Sequence, residues 1–169
     1  KFDWGYMKEA RDAYVTRLNG IYSNNLKNSK VEYITGTASF ESANSVVVDG
    51  KDTYTADNIL IAVGGRPWMP NIPGVEHCIS SDGFFELEKQ PEKVAVIGGG
   101  YIGVELAGVF HALGTETHIF TRAPKVLKEF DSYIIEALML EMKKSGLEHH
   151  PGMQPVEFVK GGDGKITIK

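Results

Sequence analysis

Apolar positions fall at helical spacing over the first part of the chain. Trp4, Met7, Tyr14, Leu18, Ile21, Tyr22 and Leu26 trace one long amphipathic helix. Asp3 stands where an N-cap belongs, and the pattern ends near Asn28-Ser29. The period then shortens. Residues 31–34, 37–40 and 46–48 read as strands, Asp49-Gly50 is a hairpin turn signal, and Tyr54 begins the returning strand. Ile59-Leu60-Ile61-Ala62-Val63 is all apolar, the pattern of a strand buried on both faces. Gly64-Gly65-Arg66-Pro67 breaks it, and with Pro70 and Pro73 following, it marks a domain boundary near residues 66–70.

Beyond the boundary the elements alternate. Ser81-Asp82 caps a short helix through Leu87, and residues 94–97 form a second buried strand. A helix over 102–113 follows, closed by Gly114. Its core stripe is Ile102, Leu106, Val109 and Leu113, while Tyr101, Glu105, Gly108 and Ala112 take other faces. Residues 117–120 are the next strand. Another helix runs from Asp131 to Gly146, and residues 160–164 form a hairpin loop. Strand, helix and strand in alternation predict an α/β fold.

Composition narrows the function classes. The 169 residues carry 18 Lys+Arg against 22 Asp+Glu, a net charge of −4, which argues against a general nucleic-acid binder. An apolar content of 42% suffices for a core. The longest aliphatic run, 59–63, is far too short to span a bilayer, and no secretory signal pattern opens the chain. A single cysteine, Cys78, excludes an internal disulfide framework, a thiolate zinc site and an in-chain dithiol pair. It suits a reducing, cytoplasmic setting. Both ends look cut, so a piece of a longer protein is expected. His149-His150 carries no metal expectation, because neighbours on a strand point to opposite faces and no third ligand is apparent.

The sharpest chemical signal is Gly98-Gly99-Gly100-Tyr101-Ile102-Gly103, placed between a strand and a helix. That context makes it a dinucleotide-binding loop. Gly98 makes the tight turn, Gly100 lets a pyrophosphate approach the backbone, and Gly103 lets the helix lie close on the strand. The free N–H groups of the helix start face the phosphates. At the end of the following strand an acid would hold a ribose 2′-hydroxyl. This strand instead ends Phe120-Thr121-Arg122, and Glu116 lies at its other end. Arg122, with Lys125 and Lys128 nearby, supplies positive charge for a 2′-phosphate. NADPH is therefore expected over NADH.

With its flank, Gly98-Gly-Gly-Tyr-Ile-Gly-Val-Glu-Leu-Ala-Gly108 resembles the NADPH-binding motif of the flavoprotein disulfide reductases. Arg11-Asp-Ala-Tyr-Val15, Arg17-Leu-Asn-Gly-Ile-Tyr22, Ile59-Leu-Ile-Ala-Val-Gly-Gly65, Ser81-Asp-Gly-Phe-Phe85 and the stretch from Arg122 to Asp131 are similar to the glutathione reductases within that family. The resemblance implies a Rossmann-like NADPH-binding domain over 67–169, truncated at its C-terminal end. It also implies the later part of an FAD-binding domain, a long helix and antiparallel strands, over 1–66. The parent enzyme would pass electrons from NADPH to FAD, to a protein disulfide and then to glutathione disulfide, as a homodimer of the cytoplasm or mitochondria.

The resemblance also implies roles for individual residues. Tyr101 matches a tyrosine covering the nicotinamide pocket. Glu105 matches a carboxylate near the nicotinamide that pairs with a lysine beside the redox disulfide. Gly99 and Ile102 match cofactor-contacting loop positions, and Arg122 matches the first 2′-phosphate arginine. Ala38 matches a position whose backbone meets FAD. Tyr22 and Tyr14 match tyrosines at the glutathione site, with core packing as the alternative. Three positions depart from the family: Lys128 replaces a second phosphate-binding arginine, Val63 replaces a threonine, and Gly99 replaces an alanine. No second glycine loop and no Cys-x4-Cys pair is present, so the piece alone is expected to be inactive and to hold no catalytic residue. Two alternatives remain: an NAD enzyme like dihydrolipoamide dehydrogenase, or a nucleotide-binding module without chemistry.

Overall fold

The computed structural model describes residues 2–169. Helix α1 (Trp4–Asn28) opens the chain, and the Asp3 carboxylate caps it by accepting the Tyr6 N–H at 3.0 Å. Strands β1 (Ala38–Ser42), β2 (Ser45–Val48) and β3 (Asp52–Thr55) follow, then helix α2 (Ser81–Glu86), strand β4 (Lys93–Ile97), helix α3 (Tyr101–Ala112) and strand β5 (Glu116–Thr121). Helix α4 (Ser132–Ser145) and strands β6 (Glu148–Pro151), β7 (Phe158–Lys160) and β8 (Ile166–Ile168) complete it. The chain divides into two compact units, one of residues Glu9–Arg66 and one of Pro67–Lys169 joined by the segment up to Lys8.

In the first unit, β1, β2 and β3 form an antiparallel meander with Val46 opposite both Phe40 and Tyr54. Asp49 and Gly50 both take positive φ, 51° and 67°, the left-handed geometry that a tight hairpin turn requires. Two expected strands are absent. Neither residues 31–34 nor residues 59–63 form a strand. Leu60 is 90% and Val63 88% exposed. A two-sided buried strand needs a ladder on each edge and packing on each face, and the described residues provide neither for this run. The helical stripe of Tyr14 and Tyr22 is likewise exposed, so core packing does not account for those tyrosines here.

The second unit is built on a parallel sheet of order β4-β5-β6, with Val96 opposite Ile119 and Ile119 opposite His149. Helices α3 and α4 make the two crossovers, which parallel neighbours require. Ala107, Ile119, Val126, Met142 and Leu147 form one buried cluster under α3 and α4. Trp4, Phe84 and Phe110 form another. Trp4 stacks on Phe110 with centroids 5.9 Å apart, meets Phe84 edge-on at 6.0 Å, and donates its indole N–H to the Leu87 carbonyl at 2.8 Å. Gln90 donates to the Leu113 carbonyl and the Thr115 hydroxyl, and Thr115 donates to the Pro91 carbonyl. These bonds tie the approach to β4 to the turn after α3.

Three sequence expectations shift in detail. The cap of α2 is Ser80, whose hydroxyl accepts the Asp82 N–H at 3.2 Å; the Ser81-Asp82 pair lies inside the helix. The buried side of α3 is Ala107 and Phe110, with Val104 and Leu106 packed beside them, whereas Ile102 and Val109 are 43% and 40% exposed. The clusters take up Ala107 and Phe110 with Val104 and Leu106, so Ile102 and Val109 turn outward. Finally, β4 is covered on one face only, because Val94 and Val96 reach the clusters while Ala95 and Ile97 are exposed.

Candidate dinucleotide-binding site

The turn between β4 and α3 is shaped by its glycines. Gly98 has φ 113°, which L side chains rarely adopt, and its N–H donates to the Phe120 carbonyl at 2.9 Å. The loop is thereby fastened to the end of β5. A Cβ on Gly103 would lie 2.7 Å from the Gly98 carbonyl oxygen, so only glycine lets the first turn of α3 sit on the loop. Gly99 is also enclosed: a Cβ there would come 2.8 Å from Thr121 Cγ2 and 3.2 Å from Val126 Cα, and its carbonyl accepts the Leu127 N–H at 2.7 Å. The middle glycine is therefore matched to the packing of the segment after β5. Gly100 differs, since nothing approaches within 4 Å of a Cβ built there. It caps α3 with extended backbone and no side-chain cap. That open space, beside the uncapped N–H groups of a helix start, fits a pyrophosphate.

Register places the second half of the site. Because Ile97 pairs with Phe120 in parallel, the segments leaving β4 and β5 emerge at the same edge of the sheet, the carboxyl end where α/β sheets bind ligands. Arg122 directly follows β5 and is exposed, and no hydrogen bond or ion pair holds it among the described residues. The other two cations are engaged, Lys125 with Glu136 at 3.4 Å and Lys128 with Glu129 at 3.1 Å. The segment that carries them is anchored by buried Val126 and by the Leu127 bond to Gly99. Glu116 lies at the opposite end of β5. It is bound to Lys93 at 2.6 Å and to His118 at 3.1 Å, and those hydrogen bonds hold its carboxyl below the ordinary value. Glu116 therefore does not stand beside Arg122 at the loop end of the strand.

Tyr101 opens α3 and is 59% exposed, with Glu105 one turn on and also exposed. The structure thus groups Gly98, Gly99, Gly100, Tyr101, Ile102, Gly103, Glu105, Arg122 and Lys128 in one unit. Ala38, Tyr14 and Tyr22 belong to the other. Ala38 begins β1 opposite Val48, and Tyr14 lies under the Arg17 guanidinium at 5.0 Å. Cys78 is partly buried, and burial followed by the Glu76 charge pushes its thiol pKa up, the opposite of what a reactive thiol needs. The described residues offer one dinucleotide cradle, the one at Gly98; the turn after residues 59–63 leads into no helix, so a flavin pyrophosphate has no comparable seat here.

A strand–glycine loop–helix–strand unit with a cation beyond the second strand defines a nicotinamide-dinucleotide-binding fold. The chain belongs to the pyridine nucleotide-disulphide oxidoreductase family, whose model matches residues 4–169. Over 94% of its length it is 54% identical to a glutathione reductase of Schizosaccharomyces pombe, covering 35% of that protein. Over its whole length it is 43% identical to a chloroplastic/mitochondrial glutathione reductase of Pisum sativum, covering 30% of that protein. The chain thus spans about a third of the curated relatives it matches. Its fold matches the HOCl-induced flavoprotein disulfide reductase RclA from Escherichia coli with a TM-score of 0.90 at 23% identity, over 99% of this chain and 39% of that one. No helix among the described residues is long and apolar enough to cross a membrane.

Proposed function

We propose that this chain is the NADPH-binding portion, with the later part of the FAD-binding domain, of an enzyme that reduces glutathione disulfide. The observation that carries this reading is the unpaired Arg122 at the loop end of β5, beside the open space at Gly100. Residues 67–169 form the NADPH domain and residues 1–66 part of the FAD domain. The parent protein is a homodimer of the cytoplasm or mitochondria. NADPH supplies a hydride, which reaches glutathione disulfide through FAD and a protein disulfide contributed by the rest of the parent.

In this scheme the N–H groups at the start of α3 hold the pyrophosphate, and Gly99, Gly100 and Ile102 border it. Arg122 grips the 2′-phosphate through its planar fork. Lys128 adds charge without that fork and must first leave Glu129. Tyr101 shields the nicotinamide pocket and moves aside for the cofactor. Glu105 orients the nicotinamide end through a lysine of the parent. Ala38 presents backbone to FAD, and Tyr14 and Tyr22 line the glutathione site. Cys78, a single thiol held protonated, has no part in electron transfer, so the 169-residue chain alone turns over no glutathione disulfide.

Calorimetry with both cofactors tests the reading. NADPH should bind and NADH should bind more weakly. Arg122→Leu should cost NADPH about 10–100-fold in affinity, the value of one or two hydrogen bonds to a charged group, and leave NADH unchanged. Equal loss for both cofactors, or an NADH preference, would favour the NAD enzyme resembling dihydrolipoamide dehydrogenase. Binding of neither would leave the cradle without its ligand. For the parent, flavin absorbance together with NADPH oxidation that depends on glutathione disulfide is the matching test.

A further inference from the structure

The face of the parallel sheet opposite α3 and α4 carries a cluster that the dinucleotide site does not use. We propose that His118 on β5 with Glu148 and His150 on β6 forms a binding site for a divalent transition-metal ion of the zinc class. The three donor atoms already converge. His118 Nδ1 is 3.0 Å from His150 Nε2 and 3.1 Å from Glu148 Oε2, and His150 Nε2 is 3.5 Å from the same oxygen. A tetrahedral zinc with bonds of about 2.05 Å places its ligand atoms roughly 3.3 Å apart, so the triangle has the size such an ion requires.

The chemistry of the donors points the same way. His118 Nε2 lies 3.1 Å from Glu116 Oε1, and an N–H there donates to that carboxylate. His118 Nδ1 then turns its lone pair to the centre, the arrangement in which a second carboxylate orients a metal-binding imidazole. Lys93 anchors Glu116 from the other side at 2.6 Å. With Nε2 carrying the proton, Nδ1 presents its lone pair to the Glu148 oxygen at 3.1 Å, a contact that a metal cation or a second proton relieves. The rings are positioned by packing as well, since Phe120 stacks on His150 with centroids 4.6 Å apart, and His118 stacks on His150 at 5.3 Å. His118 is mostly buried while the Glu148 carboxylate is exposed, so an ion can enter from the Glu148 side and keep a water in its fourth position. His149 is not part of the set. It faces the other side of the sheet, 2.7 Å from the Thr121 hydroxyl.

Titration of the metal-free protein with ZnCl2 and, separately, CoCl2 tests the proposal. One equivalent of zinc should bind, raise the melting temperature in proportion to the logarithm of free zinc, and resist competition by magnesium. Cobalt should give the visible bands of a four-coordinate nitrogen–oxygen site with no thiolate charge-transfer band. His118→Ala and His150→Ala should each weaken zinc binding by more than about 10-fold, and Glu116→Gln by about 10-fold, while His149→Gln and Cys78→Ser should bind as the parent protein does. If a histidine variant does not fold, Glu148→Gln, altered at an exposed carboxylate, carries the same expectation. Absence of saturable binding, a cobalt–thiolate band lost in Cys78→Ser, or equal affinity in Glu148→Gln and the parent protein would each overturn the site. A cluster filled only by a proton would show the first of these outcomes. NADPH affinity measured alongside separates a failure here from a failure of the dinucleotide reading.

Discussion

The two units are apolar in similar proportion, with opposite results. Residues 67–169, with the start of α1, bury two clusters and satisfy the polar groups around them. Residues 9–66 hold Tyr14, Ile21, Tyr22, Phe40, Leu60, Ile61 and Val63 in the open and bury only Ser45. Apolar residues at the correct period are therefore not a core by themselves. They become one only when a second face of matching shape is supplied. The parallel sheet meets that condition locally, because each crossover helix returns onto the strands it joins. The meander and the run at 59–63 do not meet it, and this fits a chain that spans about a third of its curated relatives.

The largest test of this contrast is a pair of truncations. Trp4→Ala removes the ring stacked on Phe110 and the bond to Leu87, and should cost about 3–5 kcal/mol in denaturant unfolding. Leu60→Ala, at a side chain 90% exposed, should stay within about 0.5 kcal/mol. Similar losses at both positions would erase the distinction between the units.

A pair of glycines sharpens it at a smaller scale. Gly103→Ala puts a methyl 2.7 Å from the Gly98 carbonyl and should destabilise by about 1–3 kcal/mol, with NADPH affinity falling as the loop shifts. Gly20→Ala lies mid-helix in α1 with nothing within 4 Å and should stabilise by about 0.5–1 kcal/mol. Thermal melts of the two variants should move in opposite directions.

The smallest expected effect is one of pH. Burial and then the neighbouring His150 charge push the His149 pKa down. The folded unit resists a proton that the unfolded chain accepts. The stability linked to this group is complete above the ordinary histidine value of about 6.5 and is lost as pH falls below it. His149→Gln should flatten the fall in melting temperature as pH drops below about 6.5, and an unchanged slope would place the dependence elsewhere.

Much of the local structure around the candidate site is legible in the sequence, because its signals are local. The glycine spacing, the Asp3 cap, the Gly114 and Gly146 helix stops and the cation after the second strand each depend on a few consecutive residues. What the sequence leaves unread has a common origin. Period alone puts Ile102 and Val109 in the core, yet the buried residues of α3 are Ala107 and Phe110. His149 and His150 are adjacent in sequence, yet His150 meets His118 and Glu148, residues brought close by parallel register.

The linear order of residues determined the helix ends, the turn at Asp49-Gly50 and the glycine loop, because backbone dihedral limits and caps act over one or two turns. Tertiary structure alone decided which face of α3 is buried, whether residues 59–63 join a sheet, and which side chains of β5 and β6 touch. Those outcomes depend on pairing between segments dozens of residues apart, and a strand's partner and register are properties of the whole sheet.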